Sequence, residues 1–216
     1  MKHVLNEYFD RIYCVTVHSF HDRHELSKKQ LGGIDFEWIV SPPPEVFHPK
    51  PPISLSEISC IMGQMLCLWN AKLHGYKRVA IWADDGVMTA TEEEIRTFLY
   101  SVPQNWDCLY MGNADWTDTF WKPILVPHTE GINKVLNANG NAFMGVQSHV
   151  FDALIRMGMQ MDRAVDFKYA NILGRGNSYG PSKRYFCETI SIPHEKVRHL
   201  VPNLDKYIPS HISHTV

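Results

Sequence analysis

The strongest constraint on the fold is a continuous apolar run, Val79-Ala80-Ile81-Trp82-Ala83, which ends abruptly at Asp84-Asp85-Gly86. A strand that is apolar on both faces is typical of the centre of a parallel sheet covered by helices. The segment before it, residues 54–75, carries apolar residues at spacings of three and four, which predicts a buried helix. Ser54 and Glu57 form a capping box at its start. A buried helix that leads into a central strand predicts an α/β architecture.

The same alternation of strands and helices extends over the first half of the chain. Residues 11–17 and 35–40 are β-branched and aromatic and predict strands. Between them, a helix is predicted over 22–31, with Asp22 as its N-cap. Six prolines predict an irregular loop over 41–53. After the apolar run, the pattern predicts a helix capped by Thr91 and then another strand, over residues 91–100 and 106–111.

The second half gives weaker local signals. Residues 134–136 and 142–146 predict two short strands around Asn139-Gly140, a hairpin-type turn. Irregular chain is predicted over 113–127, and helices are predicted over 148–157 and 162–173. A glycine-rich loop follows over 174–180, then a last strand over 185–192 and a polar tail over 193–216. The whole chain, 1–216, predicts a single α/β domain with a mixed sheet and helices on both faces.

Composition narrows the class of protein further. A chain of 216 residues, 44% hydrophobic, can form a core without a disulfide or metal staple. The net charge of −2 gives no bulk attraction to nucleic acid or to an anionic membrane. Five cysteines without a Cys-x-x-Cys pair are typical of a reducing compartment. Because no signal-peptide core and no apolar run of about 20 residues occurs, we expect a cytoplasmic protein.

Asp84 and Asp85 are the first candidates for chemistry. In open α/β sheets ligands bind beyond the carboxyl ends of the strands, where these residues are expected. Two ionised carboxylates about 4 Å apart repel by about 4 kcal/mol at an effective dielectric of 20, so a cation would stabilise them. Mg²⁺ and Mn²⁺ take oxygen ligands and bridge to phosphates. The alternative is a solvated Asp-Gly turn in which one carboxylate caps the turn.

Three segments together resemble the family 25 glycosyltransferases. The first is RIYCVTVHSFHDRHELSKKQL, which is similar to the opening strand and Asp-Arg helix start of that family. The second is ISLSEISCIMGQMLCLWNAKLHGYKRVAIWADD, which is similar to its long helix, apolar strand and Glu-Asp-Asp motif. The third comprises WDCLYMG, NAFMGVQSHVFDALI and AVDFKYANIL. The resemblance covers most of residues 9–173 in order.

The resemblance implies a GT-A fold and transfer of a hexose, galactose or glucose, from a UDP-sugar to a saccharide or another hydroxyl-bearing acceptor. It implies a donor site that contains Arg23 and Thr16 together with Asp84 and Asp85, which match the last two residues of Glu-Asp-Asp. Asp85 would bind Mn²⁺ or Mg²⁺, and Asp84 would contact either the metal or the ribose. Asp166 matches a later family aspartate and would either help to bind the substrate or serve as the general base.

Two positions depart from the family pattern. Ala83 stands where the motif has glutamate, and because strand side chains alternate, positions 83 and 85 share one face. A carboxylate is therefore absent beside Asp85. Gly63-Gln64 stands where the family has Ser-His. These departures leave a second hypothesis open, a catalytically inactive domain that binds nucleotide sugars or glycans.

Other classes of site have less support. No G-x-G-x-x-G follows the first strand, which disfavours a dinucleotide-binding dehydrogenase, and no P-loop motif occurs. The glycine-rich stretch 174–180, with Lys183 and Arg184, could close over a diphosphate or could be a plain loop. Trp116 and Trp121 could stack on an acceptor sugar or pin their own loop.

Overall fold

The computed structural model describes residues 2–17, 21–48, 52–112, 124–138, 140–166, 168–169 and 175–188. Five α-helices lie wholly within these ranges: α1 (Val4–Tyr8), α2 (His21–Gln30), α3 (Leu55–Leu73), α4 (Glu92–Ser101) and α5 (Phe151–Gly158). Residues 165–166 and 168–169 are also helical. None of the described helices is long and apolar enough to cross a membrane.

Ten strands lie within the same described ranges. They are β1 (Arg11–Val17), β2 (Glu37–Ser41), β3 (Arg78–Ala83), β4 (Gly86–Met88), β5 (Cys108–Gly112), β6 (Ile124–Thr129), β7 (Ile132–Asn137), β8 (Phe143–Gln147), β9 (Ser178–Pro181) and β10 (Phe186–Glu188). Eight of them form one mixed sheet in the order β2-β1-β3-β8-β5-β9-β7-β6, and β10 pairs with β4 in a second, two-stranded sheet.

The large sheet is parallel where the chain begins and antiparallel at its other edge. β1 runs parallel to both β2 and β3, whereas β8 runs antiparallel between β3 and β5. At the far edge, β7 pairs antiparallel with β6 and β9. The carboxyl ends of β1 and β3 therefore lie side by side, next to the amino end of β8.

Helices cover both faces of this sheet, as predicted. On one face, buried side chains of α1 and α4 pack with residues such as Trp82 and Phe143. On the other face, α3 and α5 pack with residues such as Ile81 and Met144. Alternate residues of β3 and β8 thus enter opposite layers of the core, which explains why these central strands are apolar throughout.

Local signals of the first half are confirmed. β1 covers the predicted residues, the predicted capping box Ser54/Glu57 forms, and Thr91 caps α4 as predicted. The structure adds that Thr91 and Glu94 also form a reciprocal capping box. The prediction that Asp22 caps α2 is wrong, because the helix already begins at His21. Acidic residues stabilise the first turn as well as the cap, since both positions offer free N–H groups, so the sequence does not separate the two.

The predicted proline-rich loop over 41–53 is interrupted. Ser41 ends β2, and Pro44–Val46 forms one turn of 3-10 helix. Proline is compatible with a first helical turn because its missing N–H is not needed there.

The predicted hairpin around Asn139-Gly140 is wrong. β7 and β8 do not pair with each other; β7 pairs with β6 through a turn at Gly131, where φ is 73°. Part of the segment predicted as irregular is therefore strand β6. β8 is buried along most of its length and lies in the middle of the sheet, a placement that a local turn signal does not encode.

The glycine-rich stretch is also different from the prediction in its described part. Ser178, Tyr179 and Gly180 lie in β9, buried between β5 and β7, and Lys183 forms an ion pair with Glu94. The described part of residues 178–180 is therefore a sheet strand and not the predicted loop. Trp116, Trp121 and the tail 193–216 lie outside the described residues.

Candidate functional site

Asp84 and Asp85 follow β3 at the carboxyl edge of the sheet, as predicted. The backbone N–H of Asp84 donates to the Val15 carbonyl at 3.1 Å, so the pairing of β1 with β3 continues to this residue. The chain then turns sharply at Gly86, where a Cβ atom would lie 2.6 Å from Trp82 Nε1 and 2.9 Å from the Ala142 carbonyl. The turn therefore requires glycine and fixes the aspartates just above the strand end.

Asp84 is buried and fully engaged. The residue is 5% exposed, and its carboxylate accepts from Thr16 Oγ1 at 2.6 Å and from Arg23 Nη1 at 3.1 Å. Its backbone carbonyl accepts from Ser27 Oγ at 2.9 Å. Each carboxylate oxygen has a donor, so Asp84 is held in one orientation.

A second layer of hydrogen bonds holds Thr16. His24 Nε2 lies 2.8 Å from Thr16 Oγ1 and 3.2 Å from the Val17 carbonyl. Because a carbonyl only accepts, we assign the imidazole proton to Nε2. His24 then donates to the Thr16 hydroxyl, whose own proton is directed at Asp84.

Arg23 joins the two aspartates. Its Nη1 lies 3.4 Å from Asp85 Oδ2, in addition to its contact with Asp84. The side chain of Asp85 is 18% exposed, compared with 8% for Asp84. One guanidinium balances two carboxylates, so these three side chains carry a net charge of −1 when all are ionised. Asp85 is the member of the pair that a ligand can reach.

The protonation of Asp84 is shifted by its surroundings. Burial raises the pKa of Asp84, and the neighbouring charge of Asp85 raises it further, while Arg23 and the hydroxyl of Thr16 lower it. Burial dominates, so the pKa lies above the usual aspartate value. This is the pattern expected of a functional carboxylate, although structural ion-pair networks also produce it.

Asp166 lies along the same edge of the sheet. Its Oδ2 accepts from the Gly140 N–H at 3.1 Å. Ala142, two residues after Gly140, accepts from the Ala83 N–H through its carbonyl at 3.2 Å. Residues 140–142 therefore link Asp166 to the end of β3. The structure connects Thr16, Arg23, Asp84 and Asp85 by direct contacts. Asp166 is connected to them only through the backbone of residues 140–142.

Sequence reasoning missed His24 and Ser27 as parts of this site. Both follow Arg23 in α2. Ser27 is three residues after His24 and four after Arg23, and residues at these spacings are neighbours on a helix surface. A signal was present: three hydrogen-bonding side chains at this spacing directly after a strand that ends at the predicted ligand edge.

The residues present fit a divalent cation held partly by substrate. Within the described ranges, no three His, Cys, Asp or Glu side chains converge as a protein-only metal site would require. Mg²⁺, however, is commonly bound by one or two carboxylates together with phosphate oxygens and water. Asp85, with Asp84 behind it, offers such a partial set.

Known structures share this fold at low sequence identity. No family model matches the sequence, and no curated protein matches it. A glycosyltransferase involved in the glycosylation of the major capsid of PBCV-1 aligns over 88% of this chain and 98% of its own, at 8% identity and a TM-score of 0.53. A protein of Bacillus anthracis named as a glucose-1-phosphate thymidylyltransferase aligns over 93% of this chain and 78% of its own, at 12% identity and a TM-score of 0.50. The chain therefore has a glycosyltransferase-type α/β fold.

Proposed function

We propose that this chain transfers a hexose from a UDP-sugar to a hydroxyl acceptor with the help of Mn²⁺ or Mg²⁺. The observation that carries the proposal is the pair Asp84 and Asp85, fixed at the carboxyl end of a central strand in a glycosyltransferase-type fold. The resemblance to family 25 supports the same choice of donor, although Ala83 replaces the first residue of the family motif.

The two aspartates have different tasks in this proposal. Asp84 is buried and saturated with donors, so it positions the strand end and Arg23. Asp85 is more exposed and holds the cation. When bound, the cation neutralises negative charge that develops on the departing diphosphate.

Arg23 is placed to bind the diphosphate as well. Its side chain is 20% exposed and lies at the amino-terminal part of α2, beside the strand ends. A guanidinium offers five donors in a planar fork, and this geometry suits phosphate. A divalent cation at Asp85 would change the net charge of the three side chains from −1 to +1, which would attract the diphosphate.

Asp166 is proposed as the general base that accepts the proton of the acceptor hydroxyl. The Gly140 N–H donates to Asp166 Oδ2 at 3.1 Å and orients the carboxylate. Its link through residues 140–142 to Ala83 places it at the edge where the donor would bind.

A catalytically inactive binding domain remains the second candidate, because a carboxylate is absent at Ala83. The other departure, at Gly63, has a packing cause. A Cβ at Gly63 would lie 2.1 Å from Ser41 Oγ and 2.6 Å from Val15 Cγ1, so α3 packs against β1 and β2 too closely for the family serine.

Calorimetric titration with UDP and Mn²⁺, followed by a UDP-release assay with UDP-glucose and UDP-galactose, tests the proposal. We expect binding and release in the wild type, and a loss of about 100-fold or more in release for Asp85→Asn, as for removal of one electrostatic stabiliser. Asp35→Asn, an exposed aspartate at the opposite edge, is the control and should retain release. Binding without release would identify the inactive domain, and full turnover by Asp85→Asn would refute the metal assignment.

A further inference from the structure

Asn141 is a buried amide whose hydrogen-bonding capacity is unused. The residue is 7% exposed. Its side-chain atoms Nδ2 and Oδ1 are both buried, and neither has a hydrogen-bond partner among the described residues. Asn6 provides the contrast within the same fold. It is also 7% exposed, but its Nδ2 donates to the Asp35 carbonyl at 2.6 Å and its Oδ1 accepts from the Asp35 N–H at 2.8 Å.

Unlike Asn6, Asn141 lies next to the residues of the proposed donor site. It lies between Gly140, which donates to Asp166, and Ala142, which accepts from Ala83. In the antiparallel pairing of β3 with β8, Phe143 is opposite Trp82. Continuing this register by two residues places Asn141 opposite Asp84. The unused amide therefore lies between the two aspartates of the donor site and the proposed base.

A second buried polar group without a partner lies near Asp166 in the described part of the chain. The hydroxyl of Tyr110, on β5 beside β8, makes no hydrogen bond, and Tyr110 is paired with Met144 in the sheet. Burial raises the pKa of Tyr110, and the charges of Cys108, Tyr169 and Asp166 add to that effect. Tyr110 therefore lies within electrostatic reach of Asp166.

Folded proteins rarely leave a buried amide with neither its donor nor its acceptor satisfied, because desolvation of the amide is then uncompensated. Such a group calls for an explanation, and the main ones are an enclosed water or a ligand that arrives later. A carboxamide carries one acceptor oxygen and an adjacent donor NH₂, so it can hydrogen-bond two neighbouring hydroxyls at once. Vicinal hydroxyls of a hexose have this arrangement.

We propose that Asn141 hydrogen-bonds hydroxyls of the donor hexose; this inference rests on the proposed function. The order of the strands supports the sugar over the nucleotide. Thr16 and Arg23 lie on the β1 side of Asp84 and Asp85, whereas Asn141 lies on the β8 side, next to Asp166. A diphosphate at Asp85 would then separate a nucleotide on one side from a sugar on the other, with the base beside the sugar.

The test compares the affinity for UDP with that for UDP-glucose and UDP-galactose, by calorimetry in the presence of Mn²⁺, in wild type, Asn141→Leu and Asn6→Leu. We expect Asn141→Leu to weaken UDP-hexose binding about tenfold or more, as loss of two hydrogen bonds would, while UDP affinity is retained. Asn141→Leu should also keep or raise the melting temperature of the free protein, because an unpaired amide is replaced by an apolar group of similar size. Asn6→Leu should lower the melting temperature and leave the ratio of the two affinities unchanged.

The outcomes separate the inference from the function on which it rests. A wild type that binds neither UDP nor a UDP-hexose overturns both. Equal effects of Asn141→Leu on UDP and UDP-hexose overturn the inference alone. A fall in melting temperature with unchanged UDP-hexose affinity shows that the amide holds an enclosed water only, and this also overturns it. If Asn141→Leu does not fold, Asn141→Ala carries the same expectation for the ratio of affinities.

Discussion

At each end of the parallel strands, an arginine contacts two carboxylates. These two clusters differ in their exposure to water. At the amino edge, Arg11 Nη1 lies 3.4 Å from Asp35 Oδ2, and Arg11 Nε lies 3.0 Å from Glu37 Oε2. The side chains are 27%, 73% and 35% exposed, respectively. At the carboxyl edge, the same charges at similar distances, in Arg23, Asp84 and Asp85, are 20%, 8% and 18% exposed.

The two clusters should contribute differently to the free energy of unfolding, because one is exposed to water and the other is largely buried. Water solvates the exposed cluster around Arg11, so its pairs contribute little and their loss would cost little. In both clusters one guanidinium balances two carboxylates, but the cluster around Arg23 has lost much of its hydration. Buried charges at the strand ends where α/β sheets bind ligands are typical of functional sites, which supports a functional role for this cluster.

The largest expected difference is in stability. Replacing Arg23 with methionine leaves two carboxylates facing each other in a largely buried position, and we expect a loss of about 3–5 kcal/mol in the free energy of unfolding. Arg11→Met, at the exposed cluster, should cost less than about 1 kcal/mol. Urea denaturation of both variants and the wild type at pH 7 measures the two losses. Similar losses would show that burial does not distinguish the clusters.

The second comparison uses pH. Burial raises the pKa of Asp84 in the folded protein above the value of about 3.9 that an unfolded chain has. Between these two values the native state binds a proton that the unfolded chain has released, so stability falls as pH rises through this window. Asp84→Asn removes the titrating group. We therefore expect the wild type to become more stable relative to Asp84→Asn as pH is lowered from about 7 to about 4, near the unfolded value.

The control for this pH comparison is Asp35→Asn in the exposed cluster. Urea denaturation of wild type and both variants at the two pH values gives the stability differences, in which the titration of all other groups largely cancels. A difference between wild type and Asp84→Asn that does not change with pH, or that changes in the opposite sense, would contradict the raised pKa.

The sequence predicted the elements that position this site but not the contacts within it. β1, α3 and α4 follow from local signals, namely β-branched runs, helical periodicity and capping boxes, and these need no knowledge of the rest of the chain. The carboxyl-edge position of Asp84 follows from the apolar run before it. These signals act over a few residues, which is why they survive in a single sequence.

Long-range pairing was not predictable in the same way. The turn signal at Asn139-Gly140 is local, whereas the choice of partners for β8 depends on burial between β3 and β5, which are distant in sequence. The assignment of Thr16 to the donor site stays a prediction, and the sequence did not indicate its contact with Asp84. In the structure its hydroxyl donates to Asp84, a contact over 68 positions. The unused amide of Asn141 is defined by the absence of partners in space, and no sequence pattern carries that information.

The smallest expected difference between the clusters is their response to salt. Raising NaCl from about 0.05 M to about 1 M shortens the screening length severalfold, to about 3 Å, and this weakens interactions between exposed charges. The stability loss on Arg11→Met should therefore shrink by a few tenths of a kcal/mol, because an exposed pair contributes at most about 1 kcal/mol at low salt. The loss on Arg23→Met should stay nearly constant, since ions do not penetrate between largely buried groups. Urea denaturation at both salt concentrations measures these changes, and a loss on Arg23→Met that falls as steeply as that on Arg11→Met would mean that solvent reaches the aspartates freely, which would remove the physical basis for treating the carboxyl edge as the functional one.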